Sequence, residues 1–471
     1  MEKRIEAVKE KMNSFYTGAL YPIFVALLIF VSHVTGLEFW FNIVNVFVFI
    51  GSMLVCDTFR PFIVVMCSYV YQFSRNTNLN DPAGENFYYE GARLGVIIAL
   101  FVLAILVFFF FLYKNRFVTK KSLSSLPMPF AALALSLAFL LNGAFSSSWS
   151  LGSLGYGAVQ IITFFVITYA FVLSLQNEKG EELMQYFAYV SAILLLILIA
   201  ETVLLYATSD QLFKDGAIVK EKVNFGWGNW NTVGQHIAMM IPVTFYGVMK
   251  NKYPWFYFAV ATLGTVAAVL TLSRNALILS VAVYVSLVIA CAFVGKQKRT
   301  FRFLIPIGVL LLVALAIIFR EKIFTLLDDY LKRGLSDNGR FDLWHAGIDA
   351  FLEAPAFGKG FFGVFPPESQ DGGIFPVMVH NTPVQLLASM GVFGTAAYIY
   401  YRVETLRPFI FRPTLAKTVL GVSILVVILG SMLDNFIFYY HHMLYYPVAL
   451  AIAYKLAEEQ KGETEGPPQL S

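Results

Sequence analysis

Long apolar runs separated by short polar segments occupy most of the chain. A helix that crosses about 30 Å of hydrocarbon needs roughly 20 predominantly apolar residues. Runs of this kind begin near Gly18, Glu38, Phe59, Gly91, Pro127, Leu154, Leu183, Thr232, Tyr253, Arg274, Phe303, Pro383, Leu415 and Phe436. The pattern predicts an all-α polytopic membrane protein with about 12 to 14 transmembrane helices. The count stays open because the run near Phe59 is short and residues 271–273 barely separate two runs, so either feature is compatible with a re-entrant or tilted element.

One long polar stretch, residues 320–381, interrupts this pattern and divides the chain. It separates an N-terminal transmembrane bundle of about 11 spans in residues 1–319 from C-terminal transmembrane helices in residues 382–457. The polar residues 458–471 are predicted to form a disordered cytoplasmic tail. The long stretch is the one place where this chain builds an extensive water-facing surface, so chemistry is expected where it meets the membrane.

The long loop has an internal pattern of its own. Apolar residues at spacings of three and four predict two short amphipathic helices, one over residues 320–332 and one that begins at Phe341. Pro355 and Gly358 end the second helix. Residues 360–379 are rich in glycine, proline and phenylalanine, which is typical of an ordered lid or a flexible gate.

Composition and charge agree with a membrane protein. The chain is 58% hydrophobic and 14% charged, whereas soluble domains are about 25% charged. With the N-terminus taken as cytoplasmic, most of the 34 lysines and arginines, including Arg402 and Arg407, fall in segments on the cytoplasmic side. Both termini are therefore predicted to be cytoplasmic and the long loop extracytoplasmic. Because these charges account for most of the net charge of +4, membrane lipids are expected partners and nucleic acid is not.

The cysteines and the first apolar run carry two further expectations. All three cysteines lie in or beside apolar runs and none lies in the long loop, so packing is expected rather than a disulfide framework. The first apolar run has no evident small-residue cleavage site, which favours an uncleaved span.

The most informative motif closes the long loop: His380 and Asn381, then nine residues, then Gly391 and Gly394. It resembles the signature of the O-antigen ligase and polymerase superfamily of bacterial membrane glycosyltransferases of the GT-C type. Three more segments within roughly residues 225–400 are similar to that family. The first is residues 226–234, where Trp230 replaces a frequent proline. The second is residues 271–276, where Asn275 replaces the usual glycine. The third is residues 338–344 together with Pro355 and Gly358–Gly360, which follow it.

The resemblance implies transfer of a glycan from an undecaprenyl diphosphate carrier to an acceptor hydroxyl at the outer face of the bacterial cytoplasmic (inner) membrane. Such a reaction must neutralise the charge that builds on the departing diphosphate, and it must make the acceptor hydroxyl more nucleophilic. Direct displacement without a covalent intermediate would invert the anomeric centre. The donor and a glycan or lipid-linked acceptor are the implied partners.

Arg274 and Arg340 are the candidates for binding the diphosphate. Guanidinium is permanently charged and its paired donors match phosphate oxygens. Arg274 also lies at the start of a predicted span, where free backbone N–H groups favour an anion. The alternative is that each arginine anchors a helix end among lipid headgroups. Lys222 and Lys359 are weaker candidates, because loop lysines are usually only solvated.

His380 is the candidate general base, because imidazole takes up a proton near neutral pH. The alternative is a structural hydrogen bond between loop and bundle. Asn381, Asn229 and Asn231 are candidates for binding or orienting substrate, and Glu201 is a candidate for binding the acceptor or pairing with an arginine. A weaker group lies around the last span, where a substrate role competes with an interfacial aromatic belt: Asp434, Asn435, His441 and His442.

No cofactor is expected and no metal site is predicted. The external segments contain no Asp-x-Asp motif and no cluster of histidines and carboxylates at metal-ligand spacing. Two arginines supply the electrostatic stabilisation that a divalent cation would otherwise provide, so transfer is predicted to be metal-independent.

Two other functions remain open beside an O-antigen ligase. A polysaccharide polymerase that extends carrier-linked repeat units shares the donor chemistry and therefore the motifs. A transporter of lipid-linked oligosaccharide also suits many spans and intramembrane polar residues, although the two halves of the chain are not self-similar as transporter repeats commonly are. A signalling protein is disfavoured, because only short segments are predicted to be cytoplasmic.

Overall fold

The computed structural model describes residues 2–72, 91–119, 126–175, 177–209, 212–214, 217–218, 223, 225, 228–318, 320, 339–364, 378–438 and 440–464. The described chain is almost entirely helical. A two-residue antiparallel pairing of β1 (Phe213–Lys214) with β2 (Ala217–Ile218) lies between two of the helices.

Nine helices lie in the described residues of the N-terminal half. They are α1 (Glu2–Thr17), α2 (Leu20–Thr35), α3 (Glu38–Val55), α4 (Arg60–Gln72), α5 (Gly91–Lys114), α6 (Pro129–Leu140), α7 (Leu151–Ile161), α8 (Ile167–Ser174) and α9 (Gly180–Thr208). A π-helical turn, Ile162–Val166, joins α7 to α8. Because a π turn inserts an extra residue into the helical hydrogen-bond ladder, it displaces the side chains of this span from regular helical spacing.

Eight more helices follow in the part of the C-terminal half that the structure describes. They are α10 (Trp230–Lys250), α11 (Pro254–Leu270), α12 (Arg274–Cys291), α13 (Lys298–Ile318), α14 (Arg340–Glu353), α15 (Thr382–Ile410), α16 (Leu415–Gly430) and α17 (Tyr440–Thr464). A short 3₁₀ turn, Phe436–Phe438, lies between α16 and α17.

The helices confirm an all-α polytopic membrane protein. Each predicted apolar run coincides with a helix. Within the described residues, five helices are individually long and apolar enough to cross a membrane, and the bent pair Glu6–Thr17 and Leu20–Thr35, which turns by 67°, brings the number to six. Several other helices are shorter or carry more polar residues, so the total of about 12 to 14 spans stays a prediction.

Helix α10 lies at the centre of the bundle. Every residue from Thr232 to Met249 is buried, and α9, α11, α12 and α16 surround it. Glycines allow two of these approaches, since a Cβ at Gly234 would lie 2.5 Å from the Cβ of Ala276, and one at Gly247 would meet the ring of Tyr257. The start of α10 is therefore held directly against the break between α11 and α12.

The long loop contributes α14, which confirms the amphipathic helix predicted from Phe341. It packs on α15 through a small cluster of its own: Leu343, Trp344, Ala350, Val364, Val379, Val384 and Ala388. The helix predicted over residues 320–332 and most of the predicted lid lie outside the described residues.

The segment that follows α14 is anchored to the bundle through its backbone. Lys359 N–H donates to the Ala388 carbonyl at 2.7 Å and Gly360 N–H donates to the Ser389 carbonyl at 3.0 Å. Helix α15 breaks at Gly391, whose φ of 63° and ψ of −162° are not helical. A Cβ there would lie 2.4 Å from the Ala356 carbonyl oxygen, so this glycine permits both the break in α15 and the close approach of the Ala356 backbone.

Candidate active site

The candidate site is organised around the turn that follows α16. Its backbone carbonyls accept hydrogen bonds from two other helix starts: Asn275 Nδ2 donates to Gly430 at 3.1 Å, and Thr382 N–H donates to Ser431 at 2.9 Å. Asn381 Nδ2 donates to Met432 at 2.9 Å. The N-terminal ends of α12 and α15 therefore meet at one turn, although more than 100 residues separate them in the sequence.

His380 and Asp434 form the central contact of this turn. His380 Nδ1 lies 2.8 Å from Asp434 Oδ1, and the side chains are 41% and 5% exposed. The same carboxylate oxygen accepts from the Asn435 N–H at 2.8 Å. Because an ionised carboxylate only accepts hydrogen bonds, it holds the proton on Nδ1 and leaves the lone pair of Nε2 available. The half-exposed imidazole is thus arranged as a proton acceptor.

The backbone around His380 explains why the imidazole is held in this position. Asn381 caps α15, its Oδ1 accepting from Val384 N–H at 3.0 Å. His380 itself has a φ of +50°, a left-handed conformation that costs about 1–2 kcal/mol for a residue with a side chain. The contacts of its two neighbours compensate for that cost, as is typical of functional positions.

A buried glutamine clamps the two halves of the site and was not singled out from the sequence. Gln385 Oε1 accepts from Val379 N–H at 2.9 Å and from Asn435 Nδ2 at 3.2 Å. It therefore ties the residue before His380 to the residue after Asp434. Its position one turn into α15, next to a helix-start motif, was the only signal that sequence offered.

Arg274 lies at the same end of the bundle as His380. It is the first residue of α12, after Ser273, whose hydroxyl caps the helix by accepting from Ala276 N–H at 3.4 Å. The neighbouring Asn275 is bonded to the Gly430 turn. The break between α11 and α12 therefore presents Arg274, half-buried, beside the turn that carries Asp434.

Arg340 is less closely tied to this group. It is the first residue of α14, and α14 approaches the His380 segment through Gly347, where a Cβ would lie 2.6 Å from Val384 and 3.1 Å from Val379. Arg340 is about two helical turns from that contact. The packing of α14 brings it to the side of the site, not to the His380 and Asp434 pair itself.

The two asparagines at the start of α10 have different surroundings. Asn229 Oδ1 accepts from the N–H groups of Asn231 and Thr232, both at 3.1 Å, and so caps the helix. Asn231 lies in the first turn beside it and is half-buried. Gly234 contacts the break before Arg274, so Asn229 and Asn231 at the start of the same helix lie near the candidate site. The side-chain oxygen of Asn229 is already used to cap α10.

The remaining candidate residues either have partners away from His380 and Asp434 or lie outside the described residues. Lys359 pairs with Glu353 within the loop, and Lys222 lies outside the described residues, as do the side chains of the two histidines of the last span. Glu201 is fully buried and lies 2.6 Å from His33 Nδ1. Glu201 is therefore in contact with a histidine of α2. Among the described residues, no three His, Cys, Asp or Glu side chains gather as metal ligands would.

One comparison with known proteins bears on this site. Residues 258–399 match the family model described as O-antigen ligase. The matched segment contains Arg274, Arg340 and His380, whereas Asp434 lies beyond it. No curated protein sequence matches the chain. The match confirms the resemblance drawn from the sequence motifs.

Proposed function

We propose that this chain, whose residues 258–399 match the family model described as O-antigen ligase, is an inverting membrane glycosyltransferase. It moves a glycan from an undecaprenyl diphosphate carrier to an acceptor hydroxyl at the outer face of the bacterial cytoplasmic membrane. Both termini are cytoplasmic in this proposal and the site is extracytoplasmic.

The observation that carries the proposal is the His380 and Asp434 pair at the junction of α12, α15 and α16. Nε2 of His380 takes the proton of the acceptor hydroxyl as its oxygen attacks the anomeric carbon. Asp434 stabilises the imidazolium that results, because its carboxylate is only 5% exposed and accepts from Nδ1. The base and the residue that orients it are thus supplied by two separate segments.

The leaving group departs from the opposite face of the sugar. The bond between the anomeric carbon and the diphosphate oxygen breaks as the new glycosidic bond forms, its electron pair stays on the diphosphate, and the anomeric centre inverts. Arg274 neutralises the developing charge, aided by the positive end of the α12 dipole, and Arg340 assists from the loop side. We propose that these cations take the place of a metal ion and that no cofactor is needed.

The acceptor distinguishes two versions of this chemistry. We place a ligase, which transfers glycan to a separate acceptor, ahead of a polymerase, which extends a second carrier-linked chain. The motif of His380 and Asn381 with Gly391 and Gly394 is close to the ligase form. A transporter of lipid-linked oligosaccharide would need no oriented base, so the His380 and Asp434 pair favours an enzyme.

The test is reconstitution of purified protein in lipid with undecaprenyl diphosphate oligosaccharide in EDTA. Products are followed by mass spectrometry of both carrier and glycan, first without and then with candidate acceptors. Transfer only with a second acceptor supports the ligase, and polymer growth from donor alone supports the polymerase. Donor binding without any chemistry would contradict an enzyme.

Two variants connect that assay to the site. His380→Ala is expected to abolish turnover while donor binding stays nearly unchanged. His345→Ala, on the exposed side of α14, is the matched histidine control and is expected to turn over normally. Normal turnover by His380→Ala would leave His380 with a structural role only.

A further inference from the structure

Gln385 uses every polar atom of a side chain that is fully buried. Its exposed fraction is 0%, and it lies one turn after the start of α15. Oε1 accepts from Val379 N–H at 2.9 Å and from Asn435 Nδ2 at 3.2 Å. Nε2 donates to Ser389 Oγ at 2.7 Å. Because a backbone N–H only donates, the amide oxygen must face Val379, and the side chain has one possible orientation.

The two groups that bond to this oxygen lie beside the His380 and Asp434 pair. Val379 directly precedes His380, and Asn435 directly follows Asp434. Asn435 also donates its backbone N–H to Asp434 Oδ1 at 2.8 Å. That carboxylate oxygen in turn lies 2.8 Å from His380 Nδ1. One buried oxygen of Gln385 therefore joins the segment that carries the imidazole to the segment that carries the carboxylate.

His380 is held on both sides, and Gln385 supplies the contact on the side that precedes it. Asn381, which follows His380, donates to the Met432 carbonyl at 2.9 Å. Val379, which precedes it, donates to Gln385. A histidine with a φ of +50° keeps this strained backbone conformation only where the surrounding contacts fix it. Loss of the Gln385 oxygen would therefore release the strained residue on one side.

The nitrogen end of the Gln385 amide is fixed from the side of the long loop. Ser389 accepts from Gln385 Nε2 at its hydroxyl and from Gly360 N–H at its carbonyl. Gly358 packs so closely on the same residue that a Cβ there would lie 2.3 Å from the Ser389 carbonyl carbon. A side chain without an acceptor at position 385 would leave two buried donors unpaired. That loss costs free energy and favours movement of the segments that carry the donors.

We propose that Gln385 is a positioning residue for glycan transfer. Its amide oxygen keeps His380 Nδ1 against Asp434, so that Nε2 is directed to the acceptor hydroxyl. Because its polar atoms are all engaged and the side chain is buried, Gln385 acts through the backbone beside each member of the pair and not on a reactant. The role rests on the proposed function, in which His380 is the general base. Packing alone would be satisfied by an apolar side chain of similar volume, such as methionine.

The first measurement is steady-state transfer by glutamine variants. Gln385→Met removes the acceptor, and kcat is expected to fall about 10- to 100-fold at nearly unchanged KM, because a displacement of about 1 Å can cost about 100-fold. Gln385→Glu, whose carboxyl oxygen still accepts both bonds, is expected to keep kcat near wild type. Gln160→Met, at a fully buried glutamine of α7, is the matched control and should turn over as wild type. Wild-type kcat in Gln385→Met, or an equal loss in Gln385→Glu, would overturn the inference.

A double-mutant cycle with Asp434→Asn separates positioning from a general loss of structure. If Gln385 holds the imidazole against the carboxylate, part of its effect is already lost once the carboxylate charge is removed. Gln385→Met is therefore expected to lower kcat by a smaller factor in the Asp434→Asn background than in the wild type. Equal factors in the two backgrounds would overturn the inference. Gln385→Asn, which keeps the amide but is one methylene shorter, replaces Gln385→Met in every measurement if that variant does not fold.

Nitrogen NMR of the six isotope-labelled histidines in lipid tests the same role without any transfer. The His380 signals are assigned by comparison with His380→Ala. The neutral imidazole is expected to carry its proton on Nδ1 alone in the wild type and to show both tautomers in Gln385→Met. A single tautomer in both proteins, or a mixture already in the wild type, would overturn the positioning role alone. The expected tautomers without transfer by the wild type to any acceptor would overturn the proposed function alone.

Discussion

Replacement of Asp434 by asparagine isolates the charge of the buried carboxylate from its geometry. Asp434 Oδ1 lies 2.8 Å from His380 Nδ1 and 2.8 Å from the Asn435 nitrogen. In Asp434→Asn the amide oxygen still accepts both hydrogen bonds. Only the negative charge that stabilises the imidazolium is lost. The rate of transfer is therefore expected to fall while the turn keeps its structure.

The magnitude follows from the exposure of the two groups. Unit charges about 4 Å apart attract by about 1 kcal/mol in water and by about 4 kcal/mol at the effective dielectric constant near a protein surface. The imidazole is 41% exposed and the carboxylate 5%, so a value between these limits, about 2–3 kcal/mol, applies. Since about 1.4 kcal/mol corresponds to tenfold in rate, kcat is expected to fall about 30- to 140-fold.

The assay is steady-state transfer with separate determination of kcat and KM, together with thermal unfolding in the same detergent. KM and the unfolding temperature are expected to change little. Asp349→Asn, on the exposed face of α14, is the matched control and should retain wild-type kcat. Wild-type kcat in Asp434→Asn, alongside an inactive His380→Ala, would refute a role of the carboxylate in stabilising the imidazolium.

Three further predictions follow from the structure. Arg274→Lys should lower kcat/KM for transfer by at least about tenfold, because lysine keeps the charge but lacks the paired donors of guanidinium. Wild-type transfer by this variant would show that Arg274 does not bind the diphosphate. Gly391→Ala should lower the free energy of unfolding by about 3 kcal/mol, because its Cβ would lie 2.4 Å from a carbonyl oxygen at a φ of +63°. Gly95→Ala, inside α5 with nothing within 4 Å of its Cβ, should not lower it, since alanine favours a helix over glycine. Thermal unfolding in detergent compares the two. Glu201→Ala should lower stability by about 1–3 kcal/mol, because it removes the buried carboxylate that contacts His33, while kcat of the folded fraction stays near wild type. A raised KM for acceptor at unchanged stability would show instead that Glu201 binds substrate.

Much of the fold was predictable from local patterns. The apolar runs identified the helices, and the spacing from Phe341 predicted α14 within one residue. The short separation at residues 271–273 predicted the break that presents Arg274. These features depend on residues within a few turns of one another, where periodicity and capping decide the conformation.

Partners that lie far apart in the sequence were not predictable in the same way. Glu201 contacts His33 of α2, and nothing in the apolar run of either residue indicates the other. The guanidinium of Arg402 lies among tyrosine rings of α15 and α17, and the count of charges along the chain does not indicate these contacts. Helical periodicity states which face of a span is polar, and it does not state which neighbouring helix that face meets.

The sequence by itself determined that this protein is helical and membrane-embedded, because hydrophobic length suffices for that, and a local motif was enough to propose His380 as the catalytic base. Only the tertiary structure decided that Asp434 is the partner of His380 and that Gln385 clamps the two segments. Those contacts depend on the close packing of α12, α15 and α16 at one turn. The relative placement of helices is set by side-chain fit and backbone hydrogen bonds between distant segments, which no single run of residues contains.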